Sequence, residues 1–345
     1  MPTNVRSTAG ASSQNLGRVA ITGACGFLGT LLLEKLRHHP GVKSILAIDP
    51  SQPTIHDKKM EWMKTDLTEK AIDQKLTAKF RKLKIQTLIH TSPLAKPIRN
   101  LERAHEVESV GTMHLLIAAE AAKLKKLILA STTDVYGALP DNPNFLTEEH
   151  PARGGTLGPF LKDKIEVEKQ FLHFHKKNPE RTVTLLRLAT VLGPTVSHFK
   201  THFLQNPMIP MVLGFDPLVQ FIHETDCLRA IILALEEKHS GIFNITTEGV
   251  IPLSRTVRLL RKQIVPVPSF LLYPAADFLW YLNIGSVPPA HVGFLQYMCV
   301  ADGTKAFKQM KFKPVYNSYE TVMSFTAKNL DRQTAQQKLE DCIDA

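Results

Sequence analysis

Apolar positions in the first half of the chain fall into short strand-length runs that alternate with longer stretches of helical spacing. Arg18–Thr22 reads as a strand, Gly29–His38 as a helix and Ser44–Asp49 as a second strand. Further strands are predicted at Thr87–Thr91, Lys126–Ser131 and Val183–Leu188, with helices at Leu101–Lys123 and Phe160–Lys177. Strand and helix in alternation predict a parallel sheet covered on both faces. Right-handed crossovers then make it an α/β, Rossmann-type doubly wound parallel sheet.

After Gly193 the rhythm breaks, and Pro194, Pro207, Pro210 and Pro217 mark loops around short segments. Residues 17–193 are therefore read as the Rossmann domain. Val219–His223 reads as a strand, Asp226–Glu237 as a helix and Gly241–Ile245 as a strand, so residues 219–248 are expected to rejoin it. Residues 194–218 and 249–330 are left for a smaller C-terminal substrate lobe. Met1–Leu16 and residues 331–345 are read as tails, the first being flexible and rich in Ser, Thr, Ala and Asn. It lacks the apolar core of a secretory signal, and the expected location is cytoplasmic; its Arg6 and absence of acidic residues leave organelle targeting as the lesser alternative.

The apolar stretch Ile264 to Val287 is interrupted by Pro266, Pro268 and Pro274 and carries Asp277, which argues against a transmembrane segment. It is read as a buried helix of the second lobe, with peripheral membrane contact as the alternative. Forty-three per cent of the 345 residues are hydrophobic, enough for a substantial core. The net charge of +10 suits an anionic partner, but the lysines of 70–84, 123–126 and 162–177 lie between apolar positions, as on solvated helix faces. No aromatic platform accompanies them, so nucleic acid is not an expected partner. Cys25, Cys227, Cys299 and Cys342 are scattered without metal-ligand spacing, which predicts reduced thiols and no metal.

The strongest local signal is Ile21-Thr22-Gly23-Ala24-Cys25-Gly26-Phe27-Leu28-Gly29, directly after one strand and before a helix. Gly23 permits a tight turn, Gly26 lets backbone approach a pyrophosphate, and Gly29 lets the helix pack close to the strand. The helix N-terminus then offers N–H donors to phosphate. Asp49 ends the next strand, twenty residues after Gly29, where a carboxylate can accept the adenosine ribose hydroxyls and repel a 2′-phosphate. That favours NAD over NADP.

The T-G-x-x-G-x-x-G spacing resembles that of extended short-chain dehydrogenases/reductases, especially the NAD-dependent epimerase/dehydratase branch. Later segments match in order: Thr65-Asp66-Leu67 is similar to the family's adenine-pairing segment, and Leu88-Ile89-His90-Thr91-Ser92 to its fourth-strand loop. Ala130-Ser131-Thr132-Thr133-Asp134-Val135-Tyr136-Gly137 resembles its Ser-Ser/Thr-x-x-Val-Tyr-Gly segment. Arg187 with Gly193-Pro194, Phe221-Ile222-His223-Glu224-Thr225-Asp226 and Gly241-Ile242-Phe243-Asn244 extend the likeness from Gly17 to Lys313. The resemblance implies a NAD site formed by Gly23, Cys25, Gly26, Phe27, Leu28, Gly29, Asp49, Asp66, Leu67, Thr91, Ser92, Ser131 and Lys164.

In that family a Tyr-x-x-x-Lys pair acts with a Ser or Thr hydroxyl, because hydride transfer at a carbinol carbon needs a matched proton transfer at its oxygen. The likeness puts Thr132 in the hydroxyl slot, Lys164 in the lysine slot and Phe160 in the tyrosine slot. Phenylalanine carries no ionisable group, and no tyrosine lies between Gly137 and Leu272. Glu108 is a second departure, where the family pattern before Gly111-Thr112 usually has Asn. Glu108, Lys162, Asp163 and His198 are candidate substitutes for the missing proton carrier, none identified by spacing.

Three functions stay open: an atypical or weak NAD-dependent oxidoreductase or epimerase on a nucleotide sugar or other hydroxyl substrate; a non-catalytic NAD-binding scaffold or redox sensor; and a dehydrogenase for an apolar, sterol- or lipid-type substrate. The expected partner is a small molecule, and a homodimer is the expected assembly if the chain self-associates.

Overall fold

A computed structural model of the chain describes residues 15–91, 97–282, 284 and 288–327. Seven strands form its central sheet: β1 (Gly17–Thr22), β2 (Val42–Asp49), β3 (Met60–Lys64), β4 (Thr87–Thr91), β5 (Lys126–Thr132), β6 (Thr182–Leu188) and β7 (Gly241–Ile245). Their order is β7-β6-β5-β4-β1-β2-β3, and every adjacent pair is parallel. The order reverses between β1 and β4. Crevices for ligands open at the carboxyl ends of strands at such a reversal.

Both faces of the sheet are covered, and the period-two alternation of strand side chains shows how. Val19, Ile21, Ile45, Ile89 and Ile128 enter one core cluster with Leu32 and Leu36 of α1 (Phe27–His38) and Ile231 of the helix Glu224–Glu236. Their strand neighbours Ala20, Leu46, Leu88 and Leu127 enter a second cluster with Leu76 and Phe80 of the helix Ile72–Leu83 and Phe171 of the helix Pro159–Lys177. Every residue of β4 is buried, as a strand packed on both faces requires. The expected doubly wound α/β fold is thus matched by the architecture.

Five features differ from the sequence expectations. β3 and the helix Ile72–Leu83 were not anticipated. The strand is a partly exposed edge, and the helix signals itself only through Ile72, Leu76 and Phe80, one position in four. The expected helix 101–123 is interrupted: α-helical segments at Leu101–His105 and Gly111–Ala121 flank a π-helical turn at Glu106–Val110, which carries Glu108. Such wide turns recur at functional sites.

The predicted strand 219–223 divides into Leu218–Val219 and Phe221–His223. The second pairs with Thr190–Leu192 outside the central sheet, so the chain re-enters that sheet only at β7. The described part of the apolar segment 264–287 does not form a buried helix. Gln263–Val267 pairs in parallel with Met208–Val212, and the helix Ser269–Tyr281 buries only Leu272. Phe270 is 74% exposed, Phe278 61% and Tyr281 83%. Apolar side chains surround this helix while it packs mainly on the short helical turn Pro289–Leu295, so its remaining faces point outward. Among the described residues no helix is long and apolar enough to cross a membrane. The predicted tails fall almost wholly outside the described residues.

Candidate active site

The loop from β1 to α1 is shaped by its glycines. Gly23 has φ +64°, and a side chain there would meet the Thr91 hydroxyl at 2.6 Å. At Gly29 an added Cβ would lie 2.2 Å from the Gly23 carbonyl oxygen, so only glycine lets α1 start this close to β1. Gly26 is different. An added Cβ there meets only the Gly23 oxygen, at 3.2 Å, and otherwise extends into a cleft lined by Gly26, Phe27, Leu28, Gly29 and Thr91. Gly26 is also the N-cap of α1 and provides no side-chain cap, which leaves the helix start available to an anion. The loop therefore fits a pyrophosphate by the space that a Cβ would fill.

Asp49 stands at the end of β2, beside this loop. Its carboxylate accepts hydrogen bonds from the backbone N–H of Cys25 at 3.0 Å and of Ser51 at 2.9 Å, which fixes its orientation. Burial and the neighbouring Asp49 push the Cys25 thiol up to about 12, so it stays protonated. Asp66 is held by the backbone N–H and hydroxyl of Thr68, each at 2.9 Å, and by an ion pair with Arg103. Leu67 contributes its side chain to the core, while its carbonyl accepts from His114 Nδ1. The Thr91 hydroxyl donates to the Thr22 carbonyl at 2.7 Å, tying β4 to β1 under the loop. Ser92 lies outside the described residues.

Farther along the cleft are Ser131, Thr132, Phe160 and Lys164. The Ser131 hydroxyl donates to Glu168 at 2.6 Å, and Glu168 is itself paired with Arg187 in the core. Thr132 caps the short helical turn Thr133–Tyr136 by accepting from the Asp134 N–H. Phe160 and Lys164 share a face of the helix Pro159–Lys177, with the ammonium 5.1 Å from the ring centre. Lys164 is buried and donates to Glu108 at 2.7 Å. The residue expected to hold a ribose thus already has an anionic partner, supplied by the π-helical turn.

The candidate substitutes for the proton carrier are placed as follows. Glu108 is buried against Lys164. Asp163 pairs with His105 at 2.7 Å, and Lys162 is exposed; neither lines the cleft. His198 does line it, but both ring nitrogens are engaged: Nε2–H donates to the Val191 carbonyl at 2.8 Å, and Nδ1 accepts from backbone N–H groups at the start of the helix Phe199–Gln205. Burial lowers its pKa to about 4, so this imidazole is a neutral structural cap. Tyr136 cannot serve either. Its hydroxyl donates to Asn244 at 2.8 Å in the core, and the Arg187 guanidinium covers its ring.

Three polar residues at the site were missed by sequence reasoning: Asp134, Lys200 and His291. Asp134 and Lys200 form a pair with Nζ–O distances of 2.7 and 2.6 Å, and Lys200 also donates to Thr190. Burial acts to raise the Asp134 carboxyl, but the Lys200 ammonium overcomes it and holds the group below its ordinary value. Asp134 could have been read as the polar member of the Val-Tyr-Gly segment. Lys200 and His291 carry no motif that could have marked them.

Known proteins with similar sequences and folds give this geometry a context. A model of the NAD dependent epimerase/dehydratase family matches residues 19–246. An uncharacterized protein of Mycobacterium tuberculosis is 29% identical over 307 residues, covering 88% of this chain and 81% of its own. A UDP-glucose 4-epimerase of Yersinia enterocolitica is 27% identical over 187 residues, about half of each chain (51% and 54%). Among solved structures, MoeE5 in complex with UDP-glucuronic acid and NAD superposes with a TM-score of 0.70 at 20% identity, covering 91% of this chain and 99% of its own. DesIV, a dTDP-glucose 4,6-dehydratase of Streptomyces venezuelae with NAD bound, gives 0.68 at 17% identity and covers 93% and 99%. The match to two thirds of the chain, over the strands and loops that build the cleft, shows that the protein belongs to the NAD dependent epimerase/dehydratase family.

Proposed function

We propose that this protein binds NAD in the cleft above β1 and β4 and acts as a weak, atypical oxidoreductase or epimerase on a hydroxyl-bearing small molecule. NAD supplies hydride acceptance and return. The chain's own residues supply position: the 23–29 loop for the pyrophosphate, Asp49 for the adenosine ribose, and Thr132 and Lys164 at the nicotinamide end. The observation that carries the reading is Phe160. It occupies the cleft one turn before Lys164, where a proton carrier would stand, and the described acids and bases that line this cleft, Asp134, Lys164, His198 and Lys200, are each held by a partner.

The buried Lys164–Glu108 pair favours a second reading, a cofactor-binding scaffold without turnover. Breaking a buried pair leaves an uncompensated charge, so Lys164 is held toward Glu108. Nucleotide sugars are named for the Yersinia relative, MoeE5 and DesIV, and a carbinol of that or another kind is what this site would take. The two readings separate in one assay of purified protein: NAD titration, then reduced-nicotinamide absorbance with panels of nucleotide sugars and apolar alcohols. Slow turnover supports the enzyme reading; NAD binding with silence across both panels supports the scaffold.

A further inference from the structure

A second pocket adjoins the cleft and shares Asp134, Thr190, Phe199 and Lys200 with it. Its walls are mostly apolar, with Phe203, Leu204, Val219, Leu253, Phe294 and Leu295, and Thr133, Gln220 and Tyr297 add uncharged polar groups. Lys200 is its sole cationic side chain among the described residues, and Asp134 neutralises it. Proteins commonly meet the charge of a diphosphate with Arg or Lys, or with backbone N–H groups at a helix start such as the 23–29 loop. Among its described lining residues this pocket offers no unpaired cation and no helix start of that kind.

His291 lines the same pocket. It is 4% exposed, and neither ring nitrogen has a hydrogen-bond partner among the described residues. Its ring stacks edge-on against Phe199 at 4.7 Å and lies 6.1 Å from Phe160, so it sits where the two cavities meet. Burial lowers its pKa to about 3, leaving a neutral ring with one donor and one acceptor. A buried polar group left without a partner is costly, and native structures rarely keep one without a reason. A hydroxyl both donates and accepts, which complements the ring.

We infer that this second pocket binds an apolar alcohol or the corresponding carbonyl compound, its oxygen hydrogen-bonded to His291, in preference to a nucleotide sugar. This rests on the proposed oxidoreductase reading and narrows its substrate class. The side chains responsible are the apolar walls, which replace water around the hydrocarbon body, and His291, which orients the oxygen toward the Phe160 end of the cleft.

The test titrates the intact protein by calorimetry with 1-tetralol, with tetralin, which has the same body and no hydroxyl, and with UDP-glucose. 1-Tetralol is expected to bind about tenfold or more tightly than UDP-glucose. His291→Leu is expected to lower 1-tetralol affinity about five- to tenfold, the net worth of one hydrogen bond, and to leave tetralin unchanged. Leu218→Trp, which fills the pocket from the strand Leu218–Val219, is expected to weaken both hydrocarbons and decides the matter if His291→Leu fails to fold. Tighter binding of UDP-glucose, or 1-tetralol affinity indifferent to the substitutions, overturns the inference. NAD titrated separately keeps the two proposals apart: NAD binding without 1-tetralol binding removes the pocket assignment alone, and 1-tetralol binding without NAD binding removes the cofactor reading alone.

Discussion

The Phe160 ring and the Lys164 ammonium face each other across one helical turn, 5.1 Å from ring centre to Nζ. A tyrosine at position 160 would place a phenol on that same face, beside the lysine. General acid–base catalysis contributes about 10²- to 10⁴-fold to such reactions. Phe160→Tyr is therefore expected to create or raise NAD-dependent turnover of a carbinol substrate, read as reduced-nicotinamide absorbance. Brisk turnover by the unaltered protein, slowed by Phe160→Tyr, would show that the proton comes from another residue.

Gly26→Val is expected to abolish NAD binding with little effect on the circular-dichroism spectrum. The added side chain extends into the cleft and meets the fold only at the Gly23 oxygen. Gly29 offers the contrast, since an added Cβ there collides with backbone at 2.2 Å and would shift the loop itself. Retained NAD affinity in Gly26→Val would argue against the loop assignment.

Stability should fall in mild acid. Burial lowers the pKa of His90, His198 and His223 to about 4 each, and that of His291 to about 3. Unfolded histidine titrates near 6.5, so below that pH the unfolded chain takes up protons that the folded chain refuses. The stabilisation is whole above pH 6.5 and is lost as pH falls toward 4. Each such imidazole removes about 1.4 kcal/mol per pH unit across that window. Urea midpoints measured between pH 7.5 and 4.5 check this; a flat profile would contradict the buried, neutral assignment.

The sheet was legible in the sequence because its strands are short apolar runs and its first loop has a fixed glycine spacing. β3 escaped notice because Met60, Trp62 and Met63 form a half-exposed edge without the β-branched run of the inner strands. The 23–29 loop, Asp49, Phe160 and Lys164 could be located because motif spacing and helical period fix them locally. The Asp134–Lys200 pair joins positions 66 residues apart. No local pattern encodes such a contact. His291 follows the helix Ser269–Tyr281, and that helix was misjudged because apolar content alone cannot say whether a helix has neighbours on every side.

The most direct test of the account is a calorimetric titration of the unaltered protein with NAD and, in parallel, with NADP. The carboxylate of Asp49, fixed by the Cys25 and Ser51 N–H groups, should accept the ribose hydroxyls of NAD and repel the extra phosphate of NADP. One NAD per chain, bound about tenfold or more tightly than NADP, with the difference narrowed in Asp49→Ala, is the predicted result. Equal affinities, or no binding of NAD, would contradict it.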